Sequence, residues 1–163
     1  MLLDFEVAVL VPLLCEKSGL NNQLLKDKAK KLLRMAFDVC DKQMCYNFIV
    51  GQGLQSKNLN AIAECLDELA EFIIRNGIDY SSDKEMKLIA RLADSPSKNV
   101  RESAVKALGE AFKLLDDNIW RVIGDVTPKV QGLLEARFKK IKGGPALNTA
   151  LNTLYASASM ASF

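Results

Sequence analysis

The sequence predicts an all-α fold, a solenoid of stacked antiparallel helix hairpins, and three observations predict it. Apolar residues recur at spacings of three and four along most of the chain, and hardly anywhere do they alternate over a strand's length. Helix start and stop signals cut that pattern into segments joined by short connections. One pattern also repeats: a small residue, Leu four later and a large apolar residue eight later read Ala29-Leu33-Phe37, Cys65-Leu69-Ile73 and Ala104-Leu108-Phe112.

The first helix is expected over 4–17. Pro12 lies inside it, and a proline there loses a backbone hydrogen bond and bends the rod, so a kink is expected rather than a break. The second helix, 22–39, carries the first small-Leu-large stripe; the third spans 41–54. The fourth, 58–76, stops at Asn76-Gly77, and the fifth spans 83–94. The sixth, 99–115, starts where Asn99 can cap with Glu102 three residues on. The last two are 118–124 and 128–142, the latter with Thr127 as cap and Pro128 at the first helical position.

The stripe is displaced by 36 residues from Ala29 to Cys65 and by 39 from Cys65 to Ala104. The preceding helices keep the same register, with Leu13-Leu14, Ile49-Val50 and Leu88-Ile89. Each unit is therefore a hairpin, about 4–39, 41–76 and 83–115, and 118–142 is a capping pair within an array over 1–142. One hairpin cannot bury both its apolar faces, so neighbours must stack on a continuous core. Repeats of this length with two helices are of the HEAT or armadillo type. Ile119, Trp120, Ile123, Leu133, Leu134, Phe138 and Ile141 are expected to close the far end, with Trp120 in the core on the face of Ile123.

Composition narrows the function. The 163 residues are 49% hydrophobic and 26% charged, the balance of one soluble globular domain, and the net charge is only +2. Any electrostatic partner must then be met by a local patch. There is no histidine, which excludes Ser-His and Cys-His nucleophile pairs, a His base and metal sites with His ligands. Cys15, Cys40, Cys45 and Cys65 lack CxxC spacing and read as reduced core thiols. Met1-Leu2-Leu3 precedes Asp4 and Glu6 with no basic stretch, so no secretory signal is expected, and Glu16-Lys17 interrupts the best apolar run. A cytoplasmic, monomeric, non-enzymatic protein without cofactor, metal or membrane contact is the expectation.

Solenoids of this kind act through the turns along one edge. Here the turns inside the hairpins are Lys17-Ser18-Gly19-Leu20-Asn21-Asn22, Gln55-Ser56-Lys57-Asn58 and Asp94-Ser95-Pro96-Ser97-Lys98-Asn99. Each offers a lysine and an asparagine, and Ser-Lys-Asn occurs twice. A row of lysines suits an acidic protein surface. Lysine is also common in exposed turns and asparagine at helix starts, which explains the same residues without a partner.

At these residues the chain resembles a family. Gly53 to Ile141, with Ser56-Lys57-Asn58, Ala63-Glu64-Cys65-Leu66-Asp67-Glu68-Leu69, Asn99-Val100-Arg101 and Ile119-Trp120-Arg121-Val122-Ile123-Gly124, resembles the later half of a TOG domain. It resembles above all the inner TOG domains of the microtubule polymerases that include mini spindles. Val9-Leu10-Val11-Pro12-Leu13-Leu14 resembles the start of the third repeat of such domains.

The resemblance implies a HEAT paddle whose intra-repeat turns bind tubulin, at microtubules, the spindle or the centrosome. Lys17 and Asn21 would lie on the third repeat's turn, Ser56, Lys57 and Asn58 on the fourth, and Ser97, Lys98, Asn99 and Arg101 on the fifth. The family's first two repeats have no counterpart here, including the turn that often carries a tubulin-contacting aromatic residue. An uncovered apolar face is therefore expected on the first hairpin, at Val7, Leu10, Val11 and Leu14.

Other constellations carry less. Lys26, Lys30 and Arg34 form a basic stripe read as a solvated helix face, since no aromatic residue interleaves for base stacking. Gly51-Gln52-Gly53 lacks the preceding strand and third glycine of a dinucleotide loop. Asp67, Glu68 and Glu71 read as exposed carboxylates. After Gly143-Gly144-Pro145 the chain has no charge, and 143–163 reads as a linker or a weakly docked helix. The alternative to tubulin is a generic HEAT or armadillo scaffold for another acidic partner, with a nucleic-acid-binding repeat third.

Overall fold

The amphipathic stripes of the sequence become helices in a computed structural model that describes residues 4–143. In chain order they are α1 (Asp4–Ser18), α2 (Gln23–Val39), α3 (Lys42–Phe48), α4 (Leu59–Asn76), α5 (Asp83–Leu92), α6 (Lys98–Leu115), α7 (Ile119–Ile123) and α8 (Pro128–Lys142). No strand occurs among the described residues, and the fold is an all-α solenoid. The uncharged stretch after Gly143 lies outside them.

All nine residues of the repeated stripe are buried, so the pattern marks the core-facing side of α2, α4 and α6. Helices α4 and α6 share the most extensive contact, with α8 against the far side of α6. Helices α5 and α7 pack on each other in the second layer, and α1 pairs with α2. At the far end Phe138 stacks on Phe112, with ring centroids 4.1 Å apart, and Trp120 meets Phe138 edge-on at 5.4 Å.

Helix ends follow local chemistry. Thr127 Oγ1 accepts from the Val130 amide at 3.4 Å, with Pro128 at the first position of α8. Gly77 ends α4 at φ 82°, a conformation that a side chain resists. Helix α1 runs through Pro12 without a break.

Two expected elements differ. The third helix does not stay α-helical to residue 54: Ile49–Gly53 widens into a π turn, closed by the Leu54 amide on the Ile49 carbonyl at 3.0 Å. Gly51 and Gly53 weaken the α-helix there, and a Cβ on Gly53 would lie 2.6 Å from Cys65 Sγ, so only glycine lets α4 approach this closely. Helix α6 starts one residue earlier than expected, with Ser97 and not Asn99 in the cap position. The capping box lies instead at the start of α5, where Glu85 Oε2 accepts from the Ser82 amide at 2.8 Å.

The faces of α1 are also assigned differently. Val11 and Leu14 are buried and Leu10 is half-buried, because α1 leans on the π turn and α4. The side chain of Val7 lies outside the described ones. Among the described residues, the exposed large apolar side chains of these helices are instead Val9 and Leu13 of α1 and Leu24, Leu25, Leu32, Met35 and Val39 of α2. Leu133, expected to close the far end, is 41% exposed instead.

Candidate functional site

The turns inside the hairpins are aligned by interactions between neighbouring repeats. Asn58 Nδ2 donates to the Gly19 carbonyl at 3.4 Å, which ties the second turn to the first. The approach is close: a Cβ on Gly19 would lie 2.5 Å from the Ala61 amide nitrogen. Beyond the third turn, Asp94 accepts from Lys129 Nζ at 3.0 Å and from Thr127 Oγ1 at 3.4 Å, joining it to the start of α8. The first turn is thus tied to the second, and the third to the start of α8.

Within these turns the two Ser-Lys-Asn tripeptides are not equivalent. Ser56 Oγ accepts from the Asn58 amide at 3.1 Å, and Ser95 Oγ accepts from the Ser97 amide at 3.3 Å. In each case the serine sits two residues before the cap, Asn58 for α4 and Ser97 for α6. Structural register thus pairs Ser56 with Ser95, and Lys57 with Pro96. Asn58 accepts from the amides of Asn60 at 3.0 Å and Ala61 at 3.4 Å, so its carbonyl oxygen is taken up by capping.

The predicted residues separate into groups. Lys17, in the last turn of α1, and Lys57, just before the α4 cap, are exposed. Ser56, Asn58 and Ser97 are half-buried and shape the turns. Lys98 is the first residue of α6 and lies 3.7 Å from Glu102, both largely exposed. Arg101 Nη1 donates to the carbonyls of Ser95 at 2.8 Å and Pro96 at 2.9 Å, so its guanidinium clamps the third turn.

Asn21 and Asn99 come together in a polar cleft of about 420 Å³ that also takes in Gly19, Lys26, Asn60 and Ser103. Asn60 was missed. The available signal was its spacing, since Asn21, Asn60 and Asn99 are each 39 residues apart.

The basic stripe of α2 is not a solvated face. Lys26 and Lys30 both pair with Glu64, the second at 2.5 Å, and Arg34 holds Glu68 by two hydrogen bonds of 2.8 Å. Glu68, expected to be exposed, is 2% exposed. Burial pulls the Lys30 ammonium down, but Glu64, Glu68 and Asp67 outweigh it and raise its pKa above the usual lysine value. Burial likewise pushes the Glu64 carboxyl up, and the two lysines overcome that and hold it below its ordinary value. On the other side of α4, Lys106 of α6 reaches Asp67 at 3.3 Å and Glu71 at 3.6 Å.

Burial pushes the Cys45 thiol up to about 12, and the thiols of Cys15 and Cys65 are buried as well. Among the described residues no three His, Cys, Asp or Glu side chains are placed to hold a metal ion. None of the described helices is long and apolar enough to cross a membrane.

No protein-family model matches the chain. It is 30% identical over 140 residues to protein MOR1 of Oryza sativa subsp. japonica, covering 85% of this chain and 7% of that protein. It is 27% identical over 142 residues to protein mini spindles of Drosophila melanogaster, covering 87% of this chain and 7% of that one. A solved structure concerned with TOG–tubulin binding specificity in microtubule dynamics and mitotic spindle formation superposes with a TM-score of 0.81 at 27% identity. That match covers 85% of this chain and 53% of the other. Over most of its length the chain is similar to TOG-domain proteins that include mini spindles. It spans a small part of the length of these full-length relatives and about half of the solved TOG chain. The turn edge of this chain is the edge that the resemblance marks out in the sequence.

Proposed function

We propose that this chain is a noncatalytic tubulin-binding module that holds tubulin along its edge of intra-hairpin turns and supports microtubule growth. The observation that carries the reading is the alignment of the turns: Asn58 on the Gly19 carbonyl locks two of them together, and one cleft joins Asn21 to Asn99. The likeness to a structure concerned with TOG–tubulin binding specificity supplies the partner. The contacts are Lys17, Asn21, Lys57, Lys98 and Asn99, with Asn60 added to the row. Ser56, Asn58, Ser97 and Arg101 hold the turns in shape. The module works in the cytoplasm, at microtubules. A surface that prefers one shape of the tubulin dimer over another biases tubulin toward that shape, since only differential affinity shifts an equilibrium.

The experiment is a tubulin titration with Lys57→Glu combined with Lys98→Glu. Binding is expected to weaken about fivefold or more with little change in melting temperature, because exposed turn lysines contribute little to folding. Lys139→Glu with Lys140→Glu on the exposed side of α8 is the matched control. Equal losses from both pairs overturn the edge, and absence of binding by the unaltered chain overturns the partner. Affinity is also expected to fall as salt rises from about 50 to 200 mM.

A further inference from the structure

Helices α6 and α8 flank a second groove of about 520 Å³, which shares Lys98 and Arg101 with the tubulin edge and otherwise takes in residues that the tubulin reading does not use. Its apolar floor is Val105, half-buried, and Leu133, which is 41% exposed although it lies beside the buried Leu134. Around that floor stand Lys98, Arg101, Lys106 and Arg137 against the single carboxylate of Glu102. From Lys98 to Lys106 the groove runs for about 12 Å along α6, enough for about four residues of extended peptide or two helical turns.

The two arginines are incompletely compensated. Arg101 Nη1 bonds two backbone carbonyls, which accept its protons without cancelling its charge. Arg137 crosses α6 at Gly109, where a Cβ would lie 3.0 Å from its Nε, and that Nε is buried without a hydrogen-bond partner. Its nearest carboxylate oxygen, Glu110 Oε1, is 4.0 Å from Nη2, and the other oxygen of Glu110 is held by Lys113 at 2.5 Å. A guanidinium in that position gains from a carboxylate brought by a ligand.

We propose that the α6–α8 groove binds an acidic peptide segment that seats an aliphatic side chain on Val105 and Leu133 and sets carboxylates against Arg101, Arg137 and Lys98. Charge complementarity selects the occupant. The stretch of this chain after Gly143 has no charged side chain, so it has no row of side-chain carboxylates to set against these cations. A nucleic acid would meet an aliphatic floor with no aromatic ring for its bases. The groove shares Lys98 and Arg101 with the tubulin reading, but its test varies neither of them and uses no tubulin, so the two can fail separately.

The test is fluorescence anisotropy with the full chain and a fluorescein-labelled twelve-residue peptide of repeated Glu-Glu-Leu. Leu133→Asp and Arg137→Glu are each expected to weaken binding about fivefold or more, because energy concentrates at the seated anchor and its charged partner. Lys139→Glu, on a residue of α8 outside the groove, makes the same charge change as Arg137→Glu and is expected to leave binding within about twofold. Replacing each Leu of the peptide by Ser is expected to weaken it about threefold or more, the worth of a modest apolar anchor. Should Arg137→Glu lower helicity, Leu133→Asp carries the test, since that side chain is already exposed. Equal losses with Lys139→Glu, equal binding of the serine peptide, displacement by an oligothymidylate as efficient as by unlabelled peptide, or no binding at all each overturn the proposal.

Discussion

Arg34 of α2 grips Glu68 of α4 with two parallel hydrogen bonds of 2.8 Å, and Glu68 is almost wholly buried. These two helices meet mainly through side-chain ion pairs, whereas α4 and α6 meet through close backbone packing. Ion pairs between α2 and α4 thus add to the apolar packing of α1 on the π turn and α4 in joining the first hairpin to the second, whereas the second meets the third through the broad α4–α6 contact.

Removing one partner of that pair leaves a buried charge behind. Arg34→Ala is expected to cost about 2 kcal/mol in urea denaturation, below the usual loss for a fully buried pair because the arginine is itself part-exposed. Arg34→Leu together with Glu68→Leu is expected to recover most of that loss. A double variant no more stable than Arg34→Ala would mean that charge is not what the site needs.

The pH profile follows from the same ladder. Glu64 has a folded pKa below its ordinary 4.5, so its stabilisation is present above that value and is lost as pH falls through the folded one. Lys30 has a folded pKa above 10.5, so its stabilisation is complete below that value and is lost only as pH rises through the folded one. With no histidine to titrate between, the melting temperature is expected to be flat from about pH 6 to 8 and to fall below about pH 4.5. Glu64→Gln is expected to shrink the acid fall. A step near pH 6.5 would contradict this assignment.

The close approach of the first two turns gives a steric prediction. Gly19→Ala places a methyl 2.5 Å from the Ala61 backbone nitrogen and is expected to cost about 1–3 kcal/mol, because backbone has to shift. A Cβ on Gly51 meets nothing within 4 Å, so Gly51→Ala is expected to be neutral or slightly stabilising. The two melting temperatures, compared with the parent chain, check this. Equal values would mean that the turns are not locked together at Gly19.

By itself the sequence determined the all-helical solenoid, the buried stripe and the row of turns. Period and spacing are local properties: residues three and four apart share a helix face wherever the helix goes, so Ala29, Leu33 and Phe37 had to be buried together. Tertiary structure decided what required a partner from another helix. Lys26, Lys30 and Arg34 form an ordinary solvated stripe until α4 brings Glu64 and Glu68 against it. The duplicated Ser-Lys-Asn suggests matched lysines until the serine hydrogen bonds align Ser56 with Ser95 and part Lys57 from Lys98. Leu133 fits the apolar pattern of α8 as well as Leu134 does, and the side of α8 that packs on α6 buries one and leaves the other exposed. Spacing along a chain carries the face of a helix, and the charge or carbon that faces it comes from another helix, as Glu68 faces Arg34 from 34 positions away.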